Sequence, residues 1–269
     1  MSADPALVIR TAERAATPDK PSEDRIFQTP NAVIVLDGAS QAIKLERDGG
    51  WMAEQLGRRL ADGLLAEPDC NLPKLLEASI TDMVDTYELV PGESPSATSS
   101  IVRLSDRRLD VMVLCDSPVI VQTVDGEIHQ IRDDRLDEIA DSIPRPPGHR
   151  DMTDPRWIEV VESFEAHRNQ PGGFWVASAT PEAARHTIER SFEVDQVGTV
   201  LAMTDGLSIG VDQYGIPATW SDAIALAASD PLALIDAVHQ AEESDTERTR
   251  WRRSKVYDDK SLAVVSTTE

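Results

Sequence analysis

Cysteine, basic residues and long apolar runs are all scarce in this sequence. Cys70 and Cys115 are its two cysteines. They offer no pair spacing that would hold zinc, and one possible disulfide does not make a secreted, cross-linked scaffold. Cys115 ends the apolar run 111–115 and reads as a buried core thiol. Lysine and arginine total 26 against 48 aspartates and glutamates, a formal net charge of −22. A chain with no basic surplus is a poor partner for nucleic acid or for anionic membrane surfaces. No apolar run approaches the ~20 residues of a membrane-spanning helix, and the N-terminus lacks a charged-then-apolar leader. The expectation is a cytoplasmic monomer that binds neither nucleic acid nor membrane. Two catalytic signatures are also missing. There is no Gly-x-Ser-x-Gly nucleophile elbow and no Gly-rich phosphate loop closing on Gly-Lys-Ser/Thr.

What the chain does have is enough length, 269 residues at 41% hydrophobic, to bury one large core or two small ones. Without internal repeats, a single domain over 1–269 is expected. Residues 7–14 and 25–36 read as opening strands joined through 18–22. Met52, Ala53, Leu56, Leu60 and Leu64 recur at helical spacing. So do Leu72, Leu76, Ile80, Met83 and Tyr87, with Asn71 as cap and Pro73 in the first turn. Strands follow at 99–104, 109–115 and 119–124, with short gaps that favour antiparallel pairing. Asp125-Gly126 reads as a hairpin turn into a strand at 128–131. Residues 133–170 are strongly charged and carry Pro144, Pro146, Pro147 and Gly148. They read as a helical insertion or flap, with one short helix through Leu136, Ile139 and Ile143 and another starting at Asp154-Pro155. A strand at 174–178, an undecided stretch at 186–192 and a strand at 198–204 come next. Helices at 221–228 and 231–241, the second capped by Asp230, precede a last strand at 261–266. Strands in groups and helices in pairs indicate α+β layers.

The stretch Val33-Ile34-Val35-Leu36-Asp37-Gly38 organises the rest. A core strand cannot leave an ionised Asp unpaired without a cost of several kcal/mol. Asp37 therefore belongs at the strand end against a cation, with Gly38 letting the backbone turn and a carbonyl approach. The same design recurs in Val200-Leu201-Ala202-Met203-Thr204-Asp205-Gly206, and Glu23-Asp24, Asp258-Asp259 and Asp116 are further acidic points. Hard divalent cations take such oxygen donors. Two of them ~3.5–4 Å apart activate a water and stabilise in-line displacement at phosphorus. The plainer reading is turn chemistry. Asp-Gly is a common turn pair, and Asp125-Gly126, Asp48-Gly49 and Asp62-Gly63 read as turns only.

The order of the motifs adds to this. Ser22-Glu23-Asp24-Arg25-Ile26-Phe27, Val35-Leu36-Asp37-Gly38-Ala39, Ser96-Ala97-Thr98, Cys115-Asp116-Ser117, Met203-Thr204-Asp205-Gly206 and Asp258-Asp259-Lys260-Ser261-Leu262 follow one another. Together they resemble the metal-dependent serine/threonine protein phosphatases of the type 2C family, in a divergent bacterial form, from about residue 8 to 266. The resemblance implies a four-layer α-β-β-α sandwich of two antiparallel sheets flanked by helix pairs. It also implies a dinuclear manganese or magnesium centre at one end, where a metal-activated water attacks a phosphoserine or phosphothreonine of a protein substrate. By matching motif, Asp37 would bridge both ions, and Asp205 and Asp258 would complete the first ion's shell. Glu23 and the Gly38 carbonyl would serve the second, with Asp24 in or near its outer shell. Asp116 and Asp205 would fit a third, weaker position.

The sequence departs from the family at four points. Where relatives commonly carry a phosphate-gripping arginine, four residues before the motif glutamate, this chain has Asp19, with Lys20 beside it. Ala39 stands where many have histidine, Cys115 where glycine is usual, and Pro118 where arginine is. Lys20 and the basic run 248–255, notably Arg252 and Arg253, are the candidate replacements for the phosphate grip, although a charge run is more often a solvated loop. Two functions compete on these residues. The complete acidic set favours an active phosphatase, and the missing arginine favours a weakly catalytic regulatory or binding module. The five histidines form no close pair, and Trp157, Trp175, Trp220 and Trp251 read as packing anchors.

Overall fold

The run 32–36 is buried at every residue, but it faces two ways. Val33 and Val35 enter one apolar cluster, while Ala32, Ile34 and Leu36 enter another. A strand covered on both faces reads as a continuous apolar run, and that is why this stretch shows no polar alternation. The computed structural model describes residues 5–39, 46–146 and 153–268. Within them two five-stranded antiparallel sheets lie face to face. In one the order is β1 (Leu7–Arg14), β12 (Lys260–Thr267), β11 (Val197–Met203), β8 (Val119–Thr123), β9 (Ile128–Ile131). In the other it is β10 (Ile188–Glu193), β7 (Arg108–Leu114), β6 (Ser99–Ser105), β3 (Ala32–Leu36), β2 (Arg25–Thr29), while β4 (Gly38–Ala39) and β5 (Ser96–Ala97) form a two-stranded sheet of their own.

In the middle of the strands the smaller side chains face the opposite sheet. Between the sheets lie Val33, Val35, Val102, Val111 and Val113 against Val121, Val200, Ala202, Ala263 and Val265. On the outer faces the longer Ile34, Leu36, Ile101, Met112 and Leu114 reach towards α1 (Gly49–Ala66) and α2 (Leu72–Tyr87). Leu201, Met203, Leu262 and Val264 face α6 (Trp220–Ser229) and α7 (Pro231–Glu243) in the same way. Each helix of the first pair buries a stripe at the expected spacing: Met52, Leu56, Leu60 and Leu64 on α1, and Leu72, Leu76, Ile80 and Met83 on α2. Asn71 Oδ1 accepts from the Lys74 amide at 3.0 Å and Asp230 Oδ1 from the Leu232 amide at 3.0 Å, as capping residues do. This is the expected sandwich of two antiparallel sheets flanked by helices. Among the described residues no helix is long and apolar enough to cross a membrane.

Several local expectations change. Residues 25–36 are two strands, β2 and β3, paired antiparallel around Pro30 and Asn31. Asp116-Ser117-Pro118 is not a hairpin turn, because β7 pairs with β6 and β10 while β8 pairs with β11 and β9, so the chain crosses between sheets there. Residues 174–178 form no strand. Their link to the sheet system is one bridge from Ala177 to Ala97, and they are buried as an irregular segment with Trp175 stacked on His186 at 3.6 Å. Asp62-Gly63 lies inside α1, with Gly63 facing Leu75 of α2. Asp48 caps that helix, its Oδ1 accepting from the Trp51 amide at 2.8 Å. The insertion holds α3 (Arg135–Ser142) and α4 (Pro155–Glu165); its residues 147–152, His149 among them, lie outside the described residues. Both cysteines are free, and Cys115 is buried.

Candidate active site

Strand register brings the acidic motifs to one end. Leu36, the last residue of β3, pairs with Arg25, the first of β2. Val35 pairs with Ser100 near the start of β6, and Ser99 with Leu114 at the end of β7. In the other sheet Met203 ends β11 opposite Leu262 near the start of β12, and Ala202 pairs with Val119, the first residue of β8. Asp24, Asp37, Asp116, Asp205 and Asp258 each stand one or two residues beyond the end of β2, β3, β7, β11 or β12 respectively. Two threonines fasten the arrangement. Thr204, fully buried, donates through Oγ1 to Asp24 Oδ2 at 2.8 Å and accepts from the Ser261 amide at 3.0 Å. Thr98 Oγ1 accepts from the Asp37 amide at 3.1 Å and shares a hydrogen bond with Ser117 Oγ, while the Thr98 amide donates to the Asp37 carbonyl at 2.9 Å.

Two glycines permit close approach here, and neither has a left-handed φ. A Cβ on Gly206 would lie 2.1 Å from the Asp259 carbonyl oxygen and 2.9 Å from Asp258 Cβ. Asp205 and Asp258 can approach because position 206 has no side chain. Gly38 meets the backbone of Gly49 at the start of α1, where a Cβ would sit 2.3 Å from the Gly49 carbonyl carbon. Its role is thus backbone packing, which replaces the sharp turn expected from the sequence. The unusual turn conformation is instead at Cys115, with φ of 67°, a region that favours glycine.

The carboxylates share one electrostatic field. Burial pushes Asp37 well above the usual carboxylate range, and the charges of Asp24, Asp205 and Asp258 push it further. Burial likewise raises Asp24, against the lowering effect of its Thr204 hydrogen bond and with Asp259, Asp205 and Asp258 adding repulsion. Burial and then Asp205 bring Asp116 to about 7. Asp258 reaches about 6 from burial and Asp205, with Lys255 and Lys260 opposing. Asp24 is 2% exposed and its Oδ1 has no hydrogen-bond partner. Such a buried, half-satisfied carboxylate is costly unless something cationic meets it.

The remaining candidates divide. Glu23, 8% exposed, receives Lys20 Nζ on Oε1 at 2.6 Å. Asp258 Oδ1 receives Lys255 Nζ at 2.6 Å. Among the described residues no three His, Cys, Asp or Glu side chains converge closely enough to enclose an ion as they stand. Arg252 is exposed. Arg253 is not on a rim: its side chain is 5% exposed and pairs with Asp245 at 2.9 Å while donating to the carbonyls of Asp245, Glu242, Trp251 and Val256. Asp259, read from sequence as part of the acidic pool, has a structural role. Its Oδ1 accepts from the Ala16 amide at 2.7 Å and its Oδ2 from the Glu23 amide at 2.8 Å.

Four residues near the site escaped the sequence reading. Thr204 and Thr98 stood inside noted motifs, but nothing marked their hydroxyls as clamps. Lys255 was one charge in a basic run. Asp137, on α3 of the insertion, feels the charge of Asp205 and acts on Asp116, so that helix lies beside the acidic end.

No protein-family profile matches the sequence, and no curated protein matches it significantly. Solved structures do match in shape. The catalytic domain of the serine/threonine protein phosphatase PstP, in complex with two manganese ions, aligns at TM-score 0.56 and 17% identity over 98% of this chain and 100% of that one. The PPM Ser-Thr phosphatase MsPP from Mycobacterium smegmatis aligns at 0.58 and 18%, over 97% and 98%. The serine/threonine phosphatase Stp1 from Staphylococcus aureus aligns at 0.61 and 14%, over 98% and 95%. Across nearly its whole length, the chain has the fold of the PPM-type serine/threonine phosphatases.

Proposed function

We propose that this protein is a metal-dependent phosphomonoester hydrolase acting on phosphoserine and phosphothreonine in proteins. The observation that carries the reading is the convergence of Asp24, Asp37, Asp116, Asp205 and Asp258 at one end of the sandwich, four of them held protonation-prone by burial and by one another. The donor set is all oxygen, which suits manganese or magnesium, and the unpartnered Asp24 Oδ1 fits a bound cation. Asp37, Asp205 and Asp258 would hold the first ion. Glu23 and the Gly38 carbonyl would hold the second with Asp24 behind it, and Asp116 with Asp205 would serve a weaker third. When bound, such ions supply an activated water and stabilise charge on a transferring phosphoryl group. The chain's own part is to fix the donors: Thr204 orients Asp24, Thr98 holds the backbone of Asp37, and Gly206 lets Asp205 and Asp258 meet. Lys20 and Arg252 are exposed cations that would meet a substrate phosphate as point charge and fork respectively. The insertion 133–170, beside Asp116 and Asp205 through Asp137, would act as a flap that selects substrates.

One observation favours the second reading, a weakly catalytic binding module. Two expected metal ligands, Glu23 and Asp258, are already paired with lysines. The deciding measurement is hydrolysis of an aryl phosphate and a phosphopeptide with and without manganese. Manganese-dependent turnover is expected. Asp37→Asn or Asp205→Asn should lower it at least ~10²-fold, because charge stabilisation is the main catalytic contribution. Near-wild-type turnover in either variant would refute the assignment, and no turnover in the wild type would favour the binding module.

A further inference from the structure

The acidic end already contains a cation that belongs to the chain. Lys255 Nζ lies 2.6 Å from Asp258 Oδ1. Asp258 precedes β12 at the end of the sandwich where Asp37 follows β3 and Asp205 follows β11, so the pair sits among the carboxylates of that end.

The backbone on either side of Lys255 is pinned. Arg253, buried against Asp245, donates to the Val256 carbonyl at 3.1 Å. Lys260, wholly buried, donates to the Asp258 carbonyl at 2.9 Å and to Glu242 at 2.6 Å. The Lys255 side chain, by contrast, is 45% exposed. A flexible four-carbon stem on a fixed base can swing its ammonium out to water without moving the loop. Lys20 repeats the arrangement on Glu23 at 2.6 Å, with its side chain 61% exposed.

We propose that Lys255 is a tethered cation that takes the place of a metal ion on Asp258, so that metal entry requires its withdrawal and metal affinity is set against it. The proposal rests on the reading of this centre as a divalent-metal site. A hard cation and an ammonium compete for the same carboxylate oxygen, and like charges this close repel. Removing the ammonium leaves Asp258 free to ligate, and the cluster gains one net negative charge. Affinity for a divalent ion should therefore rise, the opposite of what loss of a ligand or of a structural contact would produce.

The test is calorimetric titration of metal-free protein with manganese chloride at neutral pH, read as a dissociation constant with no reference to turnover. Lys255→Ala should bind manganese about tenfold more tightly than the wild type, about 1.4 kcal/mol. Lys255→Arg, which keeps the charge, should stay within about twofold. Lys74→Ala, an exposed lysine on α2, should behave as wild type, which controls for net charge. Lys255→Met keeps the stem and guards against a packing defect in the alanine variant. Equal or weaker manganese binding by both Lys255→Ala and Lys255→Met overturns the proposal while leaving the metal reading intact. Failure of the wild type and both variants to bind millimolar manganese overturns both.

Discussion

Asp116 should make the metal-free protein lose stability as pH rises. Its carboxyl is raised from an ordinary 3.8 to about 7, first by burial and then by the charge of Asp205. About three pH units at ~1.36 kcal/mol per unit is about 4 kcal/mol of folding free energy that the neutral form keeps and the anion loses. The sign follows from the direction. A carboxyl that titrates higher folded than unfolded gives its full contribution below about pH 4, and that contribution is lost as pH climbs through about 7. Asp258, raised to about 6, works the same way over a slightly lower window, and Asp24 and Asp37 share the direction. Asp116→Asn removes one titration while keeping the shape. Because Asp205 acts on both Asp116 and Asp258, Asp116→Asn and Asp258→Asn share a charged neighbour, and their effects are not expected to add. Urea unfolding in chelator should show the wild type losing several kcal/mol between about pH 5 and about pH 8. Asp116→Asn should gain on the order of 2–4 kcal/mol over it at the upper pH and little at the lower one. A wild type whose stability is flat or rising over that range, or an Asp116→Asn variant less stable at about pH 8, would refute the electrostatic account.

Two further outcomes separate site geometry from fold. Gly206→Ala places a Cβ 2.1 Å from the Asp259 carbonyl oxygen and 2.9 Å from Asp258 Cβ. It should destabilise by about 1–3 kcal/mol and cost at least tenfold in manganese-dependent turnover, since Asp258 must shift; unchanged kinetics would show that Asp258 lies outside the reacting centre. Arg253→Ala should lower the unfolding midpoint by several degrees and leave the KM of the folded enzyme unchanged, whereas Arg252→Ala should raise KM for a phosphopeptide several-fold with no loss of stability. The reverse pattern would return Arg253 to the substrate rim.

The layers were legible in the sequence because both faces of the central strands are covered, so runs such as 32–36 and 200–203 carry no polar interruption. Helix caps and apolar spacing marked α1, α2 and α7 for the same reason of local chemistry. Where two architectures share one local pattern, the sequence could not choose. The short gap at 116–118 fits a hairpin as well as a crossing between sheets, and only the pairing of β8 with β11 decides it. Residues 174–178 have strand composition because they are buried, yet their bridges run from Ala177 to Ala97 and from Phe174 to Arg168, and they join neither five-stranded sheet. Asp258 and Asp259 look alike as a pair. Their roles diverge because the second faces the amides of Ala16 and Glu23, and a fold is needed to bring residues 236 or more positions apart together. Cys115 was the most informative local departure: a non-glycine residue at a position where glycine is usual, and the structure holds it at a φ of 67°.

The acidic end is the part of the molecule least stable as a set of anions, and the rest of the fold works to hold it. Asp24 has one oxygen on Thr204 and the other on nothing, so a single hydrogen bond and its place just before β2 hold it. The Asp258 backbone carbonyl accepts from Lys260, whose side chain is fully buried against Glu242. Such a pair is poor value as stabilisation, because desolvating both charges offsets much of their attraction. Its location gives it a better account. It ties α7 to the first residue of β12 and lends a positive charge to the back of Asp258, while Lys255 supplies one to the front. A carboxylate flanked by a fixed buried cation and a movable half-exposed one can exchange the second for a ligand without losing the first, and only the movable one needs to leave for the centre to open.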